Sequence, residues 1–428
     1  MNREAAQMTR QDSTGGSTPR DQGRGTLRAA AADGSSSASS EASTSAEALA
    51  DRSVGEASEG ELLAAFLPLL QGEDSPYLQL GPGDDCAVIA APYGRFVITT
   101  DTQVEGQDFF PEWPSGARTG GADTGAKAAA QNLADAAAMG AVPSSMVVSL
   151  TLPPDTACQW VLDFARGLRG GIDACGAPQL AVAGGDLGAG EQISVTVTVT
   201  GDLQGREPVR RSGAAAGQRL VLAGTVGRAA AGLALLLSSA YRPGEDPALD
   251  EIAGWQLRPV SPVPAGARLA RAGATAMIDV SDGLVRDGGR IASASRVHLE
   301  LDPQALQELT EPLRPAAELL GADPLDWVLG GGEDHGLLAS LPADAQVPEG
   351  VRAIGSVRLP GAPSGGPAAG PPGRAQPQEP VGGWGVSVAG DDANQLIGRS
   401  RSGGWDHFER AQHSEHGGRS AMARPRRP

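Results

Sequence analysis

Cysteine is scarce in this chain of 428 residues: Cys86, Cys158 and Cys175 are odd in number, far apart and outside any Cys-x-x-Cys spacing. They indicate neither a disulfide framework nor a thiolate zinc centre, so a reducing cytoplasm is the expected compartment. Positive charge is also short, with 34 Lys and Arg against 51 Asp and Glu for a net charge of -17. No broad basic face can be assembled to displace counterions from a nucleic acid, which is excluded as the main partner. A small anion escorted by a metal remains compatible with this balance. No apolar run approaches the roughly 18 residues of a membrane span, and no charged segment followed by an apolar core opens the chain. A soluble protein with no membrane partner is expected.

Hydrophobic residues make up 40% of the chain, enough for two globular cores. Residues 1–58 carry mostly Ser, Ala, Gly, Thr and charged side chains and read as a disordered low-complexity tail. An N-terminal domain is expected over 59–205. Leu and Phe recur there at helical spacing over 61–67, after the polar Ser58-Glu59. Strands at 96–98 and 146–152 alternate with helices at 126–140 and 158–168. Ile193, Val195, Val197 and Val199 alternate with polar residues, which marks a strand with one buried face. The Gly- and Arg-rich stretch 201–217 is the boundary. A C-terminal domain over 206–360 repeats the alternation, with strands at 220–222, 277–280 and 336–341 and a helix at 229–237. Residues 361–380 are mostly Pro, Gly and Ala and read as a flexible segment. Order is expected to resume within 381–410, in a strand at 384–388 and at Gly404-Trp405-Asp406-His407-Phe408, before a basic disordered tail at 411–428.

Six short acidic motifs stand at the ends of apolar runs or the starts of helix-like ones. They are Gly83-Asp84-Asp85, Thr99-Thr100-Asp101, Asn132-Leu133-Ala134-Asp135, Gly184-Gly185-Asp186, Asp279-Val280-Ser281-Asp282 and Gly331-Gly332-Glu333-Asp334. Carboxylates that converge repel by about 4 kcal/mol per pair at 4 Å and an effective dielectric near 20, so a shared site needs cations or protonation. Hard oxygen ligands without thiolate or imidazole partners point to magnesium, and magnesium held by few carboxylates points to phosphoryl transfer.

Each motif also has a plain reading. Gly83-Asp84-Asp85 can be a turn before a strand. Thr99-Thr100-Asp101, just after an apolar strand, can be a helix cap as well as a metal site. Asn132 and Asp135 share one face of an Ala-rich helix, where a buried carboxylate needs a partner. Gly184-Gly185-Asp186 reads as a strand ending in a glycine turn that lets backbone approach a ligand. Asp279 and Ser281 fall on one side of a strand end, while Ser281 or Asp282 can cap the next helix, whose N-terminus favours phosphate. Three glycines before Glu333-Asp334 suit a loop that meets a ligand.

Taken in order, these motifs resemble the thiamine-monophosphate kinase family, part of the superfamily of aminoimidazole-ribotide and selenophosphate synthetases. The resemblance covers residues 60–358 and 403–408 and includes Thr-Thr-Asp-Thr-x-Val-x-Gly, Asn-Leu-x-Asp-x-Ala-Ala-Met-Gly-Ala-x-Pro, Arg-Ser-Gly, Asp-x-Ser-Asp-Gly-Leu and Gly-Gly-Glu-Asp. It implies a two-domain α/β (α+β) synthetase-like fold, with N-terminal domains forming a β-barrel across a homodimer and a C-terminal α/β domain beside it. It also implies that the γ-phosphate of ATP passes directly to thiamine monophosphate, with several magnesium ions as cofactors. On this resemblance Asp85, Thr99, Thr100, Asp101, Asp135, Asp186, Asp279 and Asp282 are magnesium ligands, and Asp101, Asp135 and Asp186 carry the catalysis. Gly185, Asp186, Arg211 and Ser281 are ATP contacts, and Glu333 and Trp405 contact the thiamine moiety.

The chemistry is consistent with those roles, because the attacking phosphate is already ionised and needs alignment and charge neutralisation rather than a strong base. Trp405 could stack on the cationic thiazolium or on the pyrimidine. Four departures stand out: Asp108 where the family has His, Leu187 where it has Thr, no Arg within 188–190, and His335 where it has Tyr. No substrate contact is carried over to Asp108. Two other readings compete: another ATP-using member of the superfamily, and a catalytically silent nucleotide- or metal-binding scaffold.

Overall fold

The computed structural model describes residue 49 and residues 51–72, 74–80, 87–361 and 383–397. The N-terminal unit runs α1 (Glu59–Phe66), β1 (Leu78–Leu80), β2 (Val88–Ile89), β3 (Val97–Val104), α2 (Gly121–Ala138), β4 (Val142–Leu152), α3 (Cys158–Ala174), β5 (Ala181–Ala189) and β6 (Ser194–Asp202). The C-terminal unit continues with β7 (Arg219–Ala223), α4 (Arg228–Leu236), α5 (Pro247–Leu257), α6 (Val263–Arg271), β8 (Ala276–Val280), α7 (Leu284–Ser295) and β9 (His298–Leu301). It ends with α8 (Pro303–Thr310), α9 (Arg314–Leu320), α10 (Pro324–Gly330), β10 (Gly336–Leu341), β11 (Val351–Arg358), β12 (Gly385–Val388), β13 (Asp391–Asp392) and α11 (Ala393–Leu396).

Packing extends further toward the N-terminus than residue 59. Leu49 is buried against Leu62, Ala65, Cys158 and Leu162, and a 3-10 turn at Val54–Glu56 sits on the 153–156 loop. α1 then starts with a capping box in which Ser58 accepts from Glu61 N and Glu61 reaches back to Ser58 N.

The first sheet has the order β3-β6-β4-β5 and the second β13-β12-β9-β11-β7-β10-β8. Among the described residues only β4–β5 and β12–β9 are parallel strand pairs, so the architecture is mixed α/β with mainly antiparallel sheets. The first sheet is open among the described residues; one chain does not display the barrel expected from two. One core cluster runs from the inner face of the first sheet, through α2 and α3, to Val221, Met277, Leu337 and Ala339 of the second. Another covers that sheet's far face, so β8 and β10 are buried from end to end and carry near-continuous apolar sequence.

Helix α2 occupies the centre because its side chains are small. A Cβ on Gly121 or Gly125 would collide with the backbone of Trp160 or Phe164, and one on Gly167 with that of Ala122. α2 and α3 therefore touch backbone to backbone. On its other side α6 comes equally close, with Gly266 against Ala137. No helix among the described residues is long and apolar enough to cross a membrane.

This packing gives a paired prediction on one helix. Gly167→Ala should lower the unfolding free energy by about 1–3 kcal/mol through overpacking. Gly170→Ala, with nothing within 4 Å of the added carbon, should raise it by roughly 0.5–1 kcal/mol through helix propensity. Chemical denaturation of the two variants checks both signs.

Candidate functional site at the domain seam

Strand β3 does not stop at Ile98. It continues to Val104, which places Thr99-Thr100-Asp101 inside a strand rather than after one and removes the helix-cap reading. Period-2 alternation then separates the three. Thr99 and Asp101 face α2, where the Thr99 hydroxyl donates to Asp135 Oδ2 at 2.6 Å and Asp101 N donates to Asn132 Oδ1 at 3.1 Å. Thr100 lies on the opposite, outer face and bonds Val197 O at 2.9 Å. Asn132, 1% exposed, is itself held by Nδ2 donating to Ala128 O.

The end of β8 supplies the other half. Asp279 is 5% exposed and feels both Asp101 and Asp135 across the domain seam. Burial, and after it the negative charge of Asp279, raises the pKa of Asp135 well above the usual carboxylate range. The Thr99 hydroxyl opposes that rise. Asp101 is raised in the same way, burial first, with His335 opposing. The β8–α7 turn is not capped by Ser281 or Asp282. Instead Asp287 Oδ2 accepts from the amides of Asp282 and Gly283, and Arg290 bridges Asp282 and Asp287 at 2.5 Å each. Burial, aided by Asp279 and Asp282, pushes Asp287 up to about 7.

The Gly331–His335 loop is stitched to this turn. Glu333 N donates to Ser281 O at 2.8 Å and His335 N to Val280 O at 3.1 Å. A Cβ on Gly332 would collide with the Ser281 carbonyl, so no other residue fits there without movement. Glu333 and His335 both have left-handed backbone, φ 66° and 53°, which is uncommon for non-glycine residues and concentrated at functional positions. Asp334, fully buried, accepts from Thr225 Oγ1 at 2.8 Å and from the first amides of α4, Arg228 and Ala229, at 3.2 Å each. Burial dominates and pushes it up to about 6. His335, 3% exposed, stands 3.6 Å from Asp279. Burial works to lower its pKa, but Asp279 and Glu333 raise it overall.

Glu333 meets the N-terminal unit directly. Its Oε1 lies 2.8 Å from Lys127 Nζ on α2, and its Oε2 accepts from Gln256 Nε2 of α5 at 2.5 Å. Burial opposes ionisation of Glu333, yet Lys127 and Gln256 hold its pKa below the usual range. Lys127, whose side chain is 4% exposed, also donates to Asp108 O at 3.2 Å. Arg258 pairs with Asp123 near the start of α2 and adds a second charged tie between the units. Beside Lys127 a narrow crevice, too tight to enclose a water molecule, is lined by Asp108, Phe109, Trp113, Thr124 and Gln256 among others.

The structure thus brings together Thr99, Asp101, Asp135, Asp279, Ser281, Asp282 and Glu333, and it separates others. The Gly184-Gly185-Asp186 segment is not a turn after a strand. β5 runs through it with a one-residue bulge, after which Gly185 pairs with Val148 and Asp186 with Ser149. That bulge turns Asp186 to the outer face, in the row of Ser149, Thr196 and Thr102, away from Asp101 and Asp135. Arg211 lies by the C-terminal end of α7, where Ser295 Oγ donates to its carbonyl, whereas Asp282 precedes the other end. Asp85 and Trp405 lie outside the described residues.

No group of three Asp, Glu, His or Cys among the described residues is arranged to hold an ion as it stands. The chemistry of Asp101, Asp135 and Asp279 nevertheless fits a hard divalent cation: all three offer carboxylate oxygens, Asp279 acts electrostatically on the other two, and the raised carboxyls of Asp101 and Asp135 would be relieved by positive charge. Sequence reasoning missed Lys127, Gln256, Asp287 and Arg290. One signal was available, since Lys127 is the sole lysine in a chain with 34 Lys and Arg residues. Gln256 carries no such mark; its role depends on a contact 77 positions away in sequence.

The family described as AIR synthase related protein, N-terminal domain, matches residues 83–203. A thiamine-monophosphate kinase of Mycobacterium tuberculosis (strain CDC 1551 / Oshkosh) is 42% identical over 290 residues, spanning 68% of this chain and 82% of that protein. Among solved structures, thiamine-monophosphate kinase from Stenotrophomonas maltophilia K279a shares 29% identity at a TM-score of 0.58, over 74% of this chain and 92% of that one. AaThiL complexed with AMPPCP and TMP shares 26% identity at a TM-score of 0.59, over 82% and 97%.

The buried cap on α4 can be tested independently of catalysis. Asp334→Asn presents an NH2 group to a pocket of donors and should destabilise the fold by about 1–3 kcal/mol. A denaturation midpoint equal to that of the parent would contradict this account of the loop.

Proposed function

The chain belongs to the thiamine-monophosphate kinase family, and we propose from that premise that it transfers the γ-phosphate of ATP onto the phosphate of thiamine monophosphate, giving thiamine diphosphate and ADP. The observation that carries this reading is the meeting of Asp101 and Asp135 from one unit with Asp279 from the other, beside the Lys127–Glu333 pair. The structural neighbour that holds AMPPCP and TMP supports the same pair of substrates.

In this reading Asp101, Asp135 and Asp279, with Thr99 and Asp282, hold magnesium, which when bound neutralises the phosphates and the charge that develops between them. The protein's own groups do the positioning. Thr99 fixes the Asp135 carboxylate, and the Asn132 amide fixes the backbone beneath Asp101. Ser281 and the turn around it face ATP. Glu333, held ionised by Lys127, faces the cationic thiamine moiety, and Trp405 is assigned to the same end. No general base is required, because the accepting phosphate is already an anion at neutral pH. Alignment of two phosphates and exclusion of competing water are what the site must provide.

Gly185, Asp186 and Arg211 are assigned to the ATP side, away from the acid cluster. We place a homodimer on the outer face of the first sheet. That face carries Ile98 and Val147, 64% and 42% exposed, among a field of threonines. A second copy laid there would complete the barrel and bring Asp186 into an interface. An ATP-consuming enzyme with three isolated cysteines suits the cytoplasm.

The direct test supplies ATP, magnesium and thiamine monophosphate and follows thiamine diphosphate; tight nucleotide binding without product would sink the reading. Asp101→Asn, nearly isosteric, should fold normally and lower kcat by at least about 100-fold, the scale for losing one charge-stabilising group. Chelation of magnesium should abolish turnover and its return restore it. For the assembly, Ile98→Glu should shift the protein from dimer to monomer in sedimentation, while a monomeric parent would overturn the dimer proposal.

A further inference from the structure

Gln256 stands in the last turn of α5 and is 2% exposed. Its two amide atoms are told apart by chemistry. An ionised carboxylate only accepts hydrogen bonds, so the atom 2.5 Å from Glu333 Oε2 is the amide nitrogen. The amide oxygen Oε1 is thereby turned away from Glu333. It is buried and has no hydrogen-bond partner among the described residues, an arrangement that costs about 1–3 kcal/mol unless something supplies a donor. Gln256 also lines the narrow crevice beside Trp113, Thr124 and Lys127, which must widen to admit a ring. An orphaned acceptor at a crevice, fixed in orientation by the very carboxylate assigned to the substrate, is a poor choice for structure alone.

We propose that Gln256 is a specificity-determining residue whose Oε1 accepts a hydrogen bond from the exocyclic amine of the aminopyrimidine ring of thiamine monophosphate. This deepens, and rests on, the proposed kinase reaction. The assignment follows by elimination among the groups of that substrate. Phosphate oxygens are acceptors and are repelled by Oε1. The thiazolium carries no N–H, and the hydroxyl is esterified. The pyrimidine amine is the remaining N–H donor. Adenine also bears an exocyclic amine, and kinetics separate the two.

The experiment compares thiamine monophosphate with oxythiamine monophosphate, in which a carbonyl replaces the amine, first with the unaltered protein. The kcat/KM ratio is expected to favour the amine by at least about 100-fold, because an acceptor facing an acceptor leaves both unpaired. Gln256→Met keeps the length but not the amide. It should lower kcat/KM for thiamine monophosphate and collapse the ratio to within roughly 5-fold, with the KM for ATP unmoved. Equal use of the two acceptors by the unaltered protein overturns the proposal, whether or not the variant folds. So does a Gln256→Met protein that keeps the full ratio, or one whose change is confined to the KM for ATP. Failure of the unaltered protein to turn over thiamine monophosphate strikes the kinase reading and this inference together, whereas turnover without discrimination strikes the inference alone.

Discussion

The close approach of α2 to everything around it is the constraint on which the rest depends. A helix of alanines and glycines can lie backbone to backbone on α3 and on α6 while its remaining faces meet both sheets. Larger side chains would hold these layers further apart, near ordinary helix spacings of 8–10 Å. The consequence is positional. Lys127, Asn132 and Asp135 project from a rod that has almost no freedom to shift, so the groups they touch in the other unit are met at fixed reach.

The electrostatics of the seam follow from that rigidity. Asp101, Asp135 and Asp279 are pressed into mutual range, and burial adds to the reluctance of Asp101 and Asp135 to ionise. On the adjoining loop the balance is reversed at Glu333, which a buried ammonium keeps charged. Two neighbouring acid groups are thus prepared for opposite tasks by their surroundings alone, one short of positive charge and the other already paired. Both sit between units that have separate outer layers but share a continuous core.

Much of the fold was legible where apolar pattern and structure coincide. The strand at 336–341 has the bounds its run of apolar residues gives, and the alternation through Val195, Val197 and Val199 lies in β6 as its period requires. What the pattern concealed has physical causes. β3 looks finished at Ile98 because its next residues are polar, yet their inner-face partners on α2 are polar too. Gly184 and Gly185 look like a turn because glycine usually punctuates; here they make room for a bulge against β4. That single extra residue decides which face Asp186 occupies, and no side-chain period could reveal it. The site was half legible: its acids announced themselves as motifs, whereas Lys127, Gln256 and Arg290 acquire meaning only from partners distant in sequence or on another element.

The lone lysine has a meaning beyond catalysis. Every other basic residue of the Lys and Arg class is an arginine, whose guanidinium is always protonated and unreactive toward acylating reagents. The chain therefore owns one side-chain primary amine, sealed between its two units with 4% of its surface in contact with solvent. Separation of the units would uncover it and closure would hide it. Any parting of the two units would thus be written as the accessibility of a single side-chain nitrogen atom, a natural spectator for an amine-directed probe.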